Sequence, residues 1–145
     1  MDWDNRKMAT RLIVAAVAAW MPLAHGKVCT GNDAAAADAM VDHLHSWAQI
    51  NSAFSKYGQC DDGGIAEGYS EAIARLLIDH WKALPELDKQ IKLNPPLELF
   101  VRRHINSTLE TDDLAKIITL STRSCPKGIS PLCKALANAA SQAEQ

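Results

Sequence analysis

The chain has 145 residues, with 15 basic and 17 acidic side chains and a formal charge of −2 at pH 7. This length suits a single domain with a buried core. The two signs of charge are mixed and form no basic stripe, which argues against nucleic-acid binding.

The first segment of the chain, residues 1–26, has the layout of a secretory signal peptide. Basic residues precede an apolar run over 12–21, and the small-residue pattern AHG follows over 24–26. The run is shorter than the roughly 20 residues that span a bilayer, so we favour export over a membrane anchor or a core helix. We expect an exported, periplasmic mature chain, residues 27–145, that forms one helical domain and stays out of the membrane.

From residue 34 onward, apolar residues recur at helical spacing. The clearest stripe runs from Ile65 to Trp81, and two aspartates precede it as capping residues. Gly68 interrupts this stripe, which favours a close helix crossing at that point. Further helices are predicted over 34–44, from Ser46, from Pro85, over 97–105, from Thr111 and from Ser130.

The fold predicted from this pattern is all-α. It is an irregular bundle of five to seven short helices stapled by two disulfides. Whether residues 34–57 form one bent helix or two is left open by the sequence.

Four cysteines follow the predicted leader: Cys29, Cys60, Cys125 and Cys133. An even number in an exported protein predicts two disulfides, and the wide spacing is unlike that of zinc ligands. An unbroken helix over 34–57 would be about 35 Å long and would hold Cys29 and Cys60 beyond disulfide reach. We therefore favour Cys60–Cys125 with Cys29–Cys133. The alternative, Cys29–Cys60 with Cys125–Cys133, applies if the early helices fold back as a hairpin.

The sequence contains no familiar catalytic or metal-binding motif. The acidic segment over 61–64 lacks the alternating acids and the final glutamate of an EF-hand. Asp62 and Glu67 offer paired carboxylates for glycoside chemistry, but helix capping and a solvated face explain them better. His80 and His104 lie on apolar faces, as core histidines with satisfied rings do. We expect no catalytic residues, no metal and no cofactor.

A small, exported, disulfide-bonded helical domain without catalytic residues is more often a binding protein than an enzyme. In its leader, its length and the segment CDDGGIAEGY over 60–69, the chain resembles the small helical periplasmic immunity proteins that neutralise type VI secreted peptidoglycan amidases. The resemblance implies a protein partner, a secreted amidase toxin, whose active-site cleft the chain would occlude. Mild negative charge would help to steer a basic toxin.

Two segments next to cysteines are the predicted partner-binding residues, because rigid loops lose little entropy on docking. They comprise Asp61, Asp62, Gly63, Gly64, Lys127, Gly128, Ile129 and Ser130. A small cell-wall hydrolase that uses Asp62 or Glu67, and a periplasmic chaperone or scaffold protein, are the alternative functions. The sequence leaves open whether the chain forms a homodimer.

Overall fold

The computed structural model describes residues 26–145, and these residues form a bundle of helices without β-strands. The predicted signal peptide, residues 1–26, lies outside the described residues except for Gly26. Seven α-helices follow in chain order: α1 Gly31–Val41, α2 Trp47–Tyr57, α3 Gly63–Asp79, α4 Leu84–Leu93, α5 Pro96–Arg103, α6 Thr111–Arg123 and α7 Ser130–Ala143. Two short 3₁₀ turns, Gly58–Cys60 and Trp81–Ala83, flank α3. The predicted fold class, an all-α bundle with two disulfides, is confirmed.

Side-chain caps fix the starts of the first three helices. Thr30 and Asp33 form a reciprocal capping box at α1. Ser46 accepts a hydrogen bond from the backbone N–H of Gln49 at 3.3 Å, so α2 begins directly after the predicted cap. Asp62 caps α3 by accepting from the N–H of Gly63 at 2.8 Å.

Residues 34–57, which the sequence left open, form parts of two helices. The chain turns between Asp42 and Ser46, so α1 and α2 pack against each other as a hairpin. The turn returns the end of α2 to the start of α1 and brings the Cα atoms of Cys29 and Cys60 to 4.9 Å.

The favoured disulfide pairing, Cys60–Cys125 with Cys29–Cys133, is therefore wrong. The structure contains the alternative pairing, Cys29–Cys60 and Cys125–Cys133. The pairing differs because α1 and α2 are two helices joined by a turn, whereas a single continuous helix would have separated the first two cysteines. Two disulfides indicate an oxidising, exported environment.

The core lies between α3 and the helices around it. α1 crosses α3, α6 packs against both α3 and α7, and α4 and α5 pack against α2. The largest fully buried side chains are Trp47, Tyr69, Ile50, Ile73, Leu77, Leu84, Leu87, Leu97, Ile117, Leu136 and Val101. Within residues 26–145, none of the helices has both the length and the hydropathy of a membrane span.

Candidate functional site: a buried Asp-His-Ser cluster

Three polar side chains from separate parts of the chain meet inside the bundle. Asp61 lies just before α3, Ser70 lies on α3, and His104 ends α5. Ser70 and His104 are each 3% exposed, and the Asp61 side chain is 6% exposed. We call these three residues the Asp-His-Ser cluster.

The imidazole of His104 lies between the other two groups. Its Nδ1 is 3.0 Å from Ser70 Oγ, and its Nε2 is 3.2 Å from Asp61 Oδ1. Nε2 and Oδ1 are close but do not meet the geometry of a hydrogen bond, and the backbone of Ala66 also lies within reach of the ring. A neutral imidazole then carries its proton on Nε2, facing the carboxylate, and Nδ1 accepts from the Ser70 hydroxyl.

Arg103, the last residue of α5, and Asn106, in the turn that follows, complete the surroundings of the cluster. Arg103 donates to Asp61 Oδ2 and is largely exposed. The side-chain amide of Asn106 donates to the backbone oxygen of Arg103 at 3.0 Å and approaches Ser70 Oγ at 3.5 Å. The turn is thereby connected to α3 through side chains.

Burial controls the protonation of this region. Desolvation lowers the pKa of His104 below its usual 6.5, outweighing Asp61, which raises it, while Arg103 lowers it further. Desolvation also raises the pKa of the neighbouring Tyr69 to about 12, with a smaller contribution from the Asp61 charge. At neutral pH the His104 ring is therefore uncharged and free to accept a proton.

A cleft of about 300 Å³ opens beside the cluster. Besides the cluster, Arg103 and Asn106, it is lined by Ala66, Glu67 and Thr108. Chemically, the site combines a hydroxyl, a neutral base and an acid that faces the base, which is the arrangement of an activated nucleophile. Within residues 26–145 no group of three or more histidine, cysteine or acidic side chains is placed to hold a metal ion.

Sequence reasoning found only parts of this site. The sequence predicts core histidines at His80 and His104. The structure buries His104 beside polar groups, whereas His80 is exposed, so that prediction is wrong for His80. The sequence pattern does not mark Ser70, because this residue lies between apolar stripe residues of α3 and belongs to no motif. The available signal was helical spacing, because Ala66, Glu67 and Ser70 are three and four residues apart and share one side of α3.

The structure divides the predicted partner-binding residues between the interior and the surface. Asp61 faces the interior, and Ile129 is 7% exposed and packs into the core. The other six are exposed and occupy helix starts or the connector between α6 and α7: Asp62, Gly63, Gly64, Lys127, Gly128 and Ser130.

The two predicted segments lie at opposite ends of α3. Asp61 to Gly64 include the start of that helix, whereas Trp81, just beyond its end, donates to the backbone oxygen of Ser124 at 2.8 Å. Ser124 is the first residue after α6, where the connector to α7 begins. A helix of 17 residues is about 25 Å long. One narrow enzyme cleft therefore cannot receive both segments.

Comparison of the chain with protein-family models, with curated proteins and with solved structures finds no match.

Proposed function

We propose that the chain is an exported immunity protein that binds a secreted peptidoglycan amidase and occludes its active site. The observation that carries the proposal is the connector between α6 and α7, residues 124–129. The disulfide Cys125–Cys133 closes it, with Cα atoms 6.0 Å apart. A short, covalently closed loop suits insertion into a cleft, because little of its conformational entropy remains to be lost.

The connector also has an anchored base and a projecting tip. Ile129 is buried against the core, while Lys127 and Gly128 are exposed. Gly128 has φ +87°, a conformation that L side chains rarely adopt, so the turn needs glycine there. The segment at the start of α3 is the weaker candidate, because Asp61 is occupied inside the protein.

An inhibition assay tests this function. Oxidised residues 27–145 are added to purified secreted Cys/His amidases, including any encoded beside this chain's own gene, and release of labelled peptidoglycan is measured. We expect stoichiometric inhibition of one amidase and none of the others. Unchanged hydrolysis across the whole set would contradict the proposal.

Matched charge reversals identify the contacting surface. Lys127→Glu changes the tip of the connector, whereas Lys56→Glu makes the same change in the last turn of α2, near the other end of α3. We expect Lys127→Glu to weaken inhibition at least tenfold and Lys56→Glu to leave it within about twofold. The opposite ranking would move the contact to the start of α3.

A further inference from the structure

We propose that Ser70 is a nucleophile, activated by His104 and oriented through Asp61, and that the adjoining cleft accepts a small carboxylic ester. This activity goes beyond the proposed inhibition, since it uses the start of α3 and the turn after α5 rather than the connector. Nothing in the immunity role requires a serine beside an imidazole.

The first support is the geometry of the three groups. The Ser70 Oγ to His104 Nδ1 distance of 3.0 Å lies within the reach of a nucleophile–base pair. On its other side the ring faces Asp61 Oδ1 at 3.2 Å, where a carboxylate can stabilise the imidazolium that forms during attack. Arg103 donates to Oδ2 of the same carboxylate and fixes its position.

The second support is a hydrogen-bond donor beside the nucleophile. The Nδ2 atom of Asn106 is 3.5 Å from Ser70 Oγ and borders the same cleft. This N–H points at Ser70 Oγ in the structure, and it becomes available to a carbonyl oxygen that gains negative charge only once Oγ bonds to the carbonyl carbon. Arg103 adds a positive charge to the cleft wall.

The reaction balances without a metal or a cofactor. Ser70 Oγ forms a bond to the carbonyl carbon while its proton passes to His104 Nδ1. The ester C–O bond then breaks, and the leaving alkoxide takes that proton. A water molecule then attacks the acyl carbon and gives a proton to His104. The C–Oγ bond breaks, His104 returns that proton to Ser70 Oγ, and the acid leaves.

Size limits what can react. The cleft holds about 300 Å³, and Ser70 is only 3% exposed, so bulky substrates and polymers such as peptidoglycan are excluded. The probes of choice are therefore diisopropyl fluorophosphate and p-nitrophenyl acetate. With the first, the Oγ–P bond forms, the P–F bond breaks, the proton goes to His104 and fluoride leaves.

Intact-mass and peptide mass spectrometry after treatment of residues 27–145 with diisopropyl fluorophosphate test the proposal. We expect a single adduct on Ser70. We also expect the untreated protein to hydrolyse p-nitrophenyl acetate at least tenfold faster than the treated protein. No adduct, or an adduct on another residue, overturns the proposal. The labelling experiment needs no substitution, so its result does not depend on whether a variant folds.

A second serine provides the matched control. Ser121 on α6 is 4% exposed and has no hydrogen-bond partner among the described residues. Ser70→Ala should abolish labelling and ester hydrolysis, and Ser121→Ala should preserve both. Equal activity in the two variants overturns the proposal. The Ser70→Ala variant should still inhibit the amidase. Loss of esterase activity therefore tests this proposal separately from the proposed immunity function.

Discussion

At the scale of single residues, two adjacent aspartates have different physical roles. Asp61 is buried, pairs with Arg103 and faces His104, whereas Asp62 is exposed and caps α3. In the sequence both belong to one acidic, glycine-rich segment, and nothing in that segment distinguishes them. The distinction arises from α5, which brings its last residues against the start of α3.

This difference predicts unequal costs for two alanine substitutions. Asp61→Ala removes a buried carboxylate that pairs with Arg103 and lies beside His104 Nε2, and it should lower the free energy of unfolding by about 1–3 kcal/mol. Asp62→Ala removes a helix cap and should cost about 1 kcal/mol. Urea unfolding of both variants, followed by circular dichroism, measures the two costs. A larger loss for Asp62→Ala would contradict the role assigned to the cluster.

The lowered pKa of His104 predicts a loss of stability in mild acid. As the pH falls through 6.5, the unfolded chain binds a proton at this residue before the folded chain does. The free energy of unfolding should therefore fall between pH 7.5 and pH 5.5, by at most about 1.4 kcal/mol per pH unit from this one group. Asp61, Arg103 and Glu67 are the charged groups around it.

Urea midpoints at pH 7.5, 6.5 and 5.5 measure this dependence. His104→Gln should flatten the profile over this range, whereas His80→Gln, at an exposed position, should retain it. A profile that is unchanged in His104→Gln would show that the dependence arises elsewhere.

At the scale of helices, apolar spacing predicted the helices better than it predicted the turns between them. The capping roles predicted for Thr111 and Ser130 are wrong, since each is the first residue of its helix and makes no capping hydrogen bond. α3, Gly63–Asp79, covers the stripe from Ile65 to Trp81 except for its last two residues, and the helices predicted from Thr111 and Ser130 begin at those residues. Local patterns predicted these helices because each side chain's environment repeats every three to four residues. The turn between Asp42 and Ser46 was not settled, since its effect depends on how α1 and α2 pack together.

Gly68 is the point at which a predicted crossing is confirmed. A Cβ atom added there would lie 2.7 Å from Val41 Cγ2 and 2.8 Å from Val41 Cβ, closer than real contacts allow. Val41 Cβ is attached directly to the backbone of α1 and cannot rotate away. The crossing of α1 and α3 therefore requires glycine at this position.

Alanine substitutions at two glycines of α3 should have opposite effects. Gly68→Ala should lower the free energy of unfolding by about 1–3 kcal/mol, because overpacking exceeds the gain in helix propensity. Gly64→Ala meets nothing within 4 Å and should raise it by up to about 1 kcal/mol. Thermal and urea unfolding give both values. Adding Val41→Ala to Gly68→Ala should recover part of the loss, and strictly additive effects would argue against the steric explanation.

At the scale of the whole molecule, the sequence predicted the fold class and the number of disulfides but not their pairing or the site. Helix periodicity and an even cysteine count are properties of short segments and of composition. Pairing Cys29 with Cys60, and bringing Asp61, Ser70 and His104 together, depends on contacts between residues more than 30 positions apart. The short range of these sequence signals is therefore what limited the prediction.

The two disulfides close loops of very different length and should differ in their contributions. Cys29–Cys60 spans 31 positions and Cys125–Cys133 spans 8. Loop-closure entropy gives about 3.7 kcal/mol for the longer loop and about 2.5 kcal/mol for the shorter one. Each cysteine pair is replaced with serines, and the free energy of unfolding is measured in urea at pH 7.5. The loss should be larger for the Cys29/Cys60 replacement, and the two losses should differ by about 1.2 kcal/mol. The reverse order would mean that the connector contributes more to the folded state than chain entropy explains.

That comparison depends on which cysteines are paired. Digestion with trypsin while the disulfides are intact, followed by mass spectrometry, determines the pairing. Cleavage after Lys27, Lys56 and Arg75 isolates Cys29 and Cys60 on separate peptides, 28–56 and 57–75. Cleavage at the connector tip, after Lys127, likewise places Cys125 on 124–127 and Cys133 on 128–134. We expect mass spectrometry to find 28–56 linked to 57–75, and 124–127 linked to 128–134. A link between 57–75 and 124–127 would restore the pairing favoured by the sequence, and it would require the end of α2 to lie beside the connector, at the far end of α3.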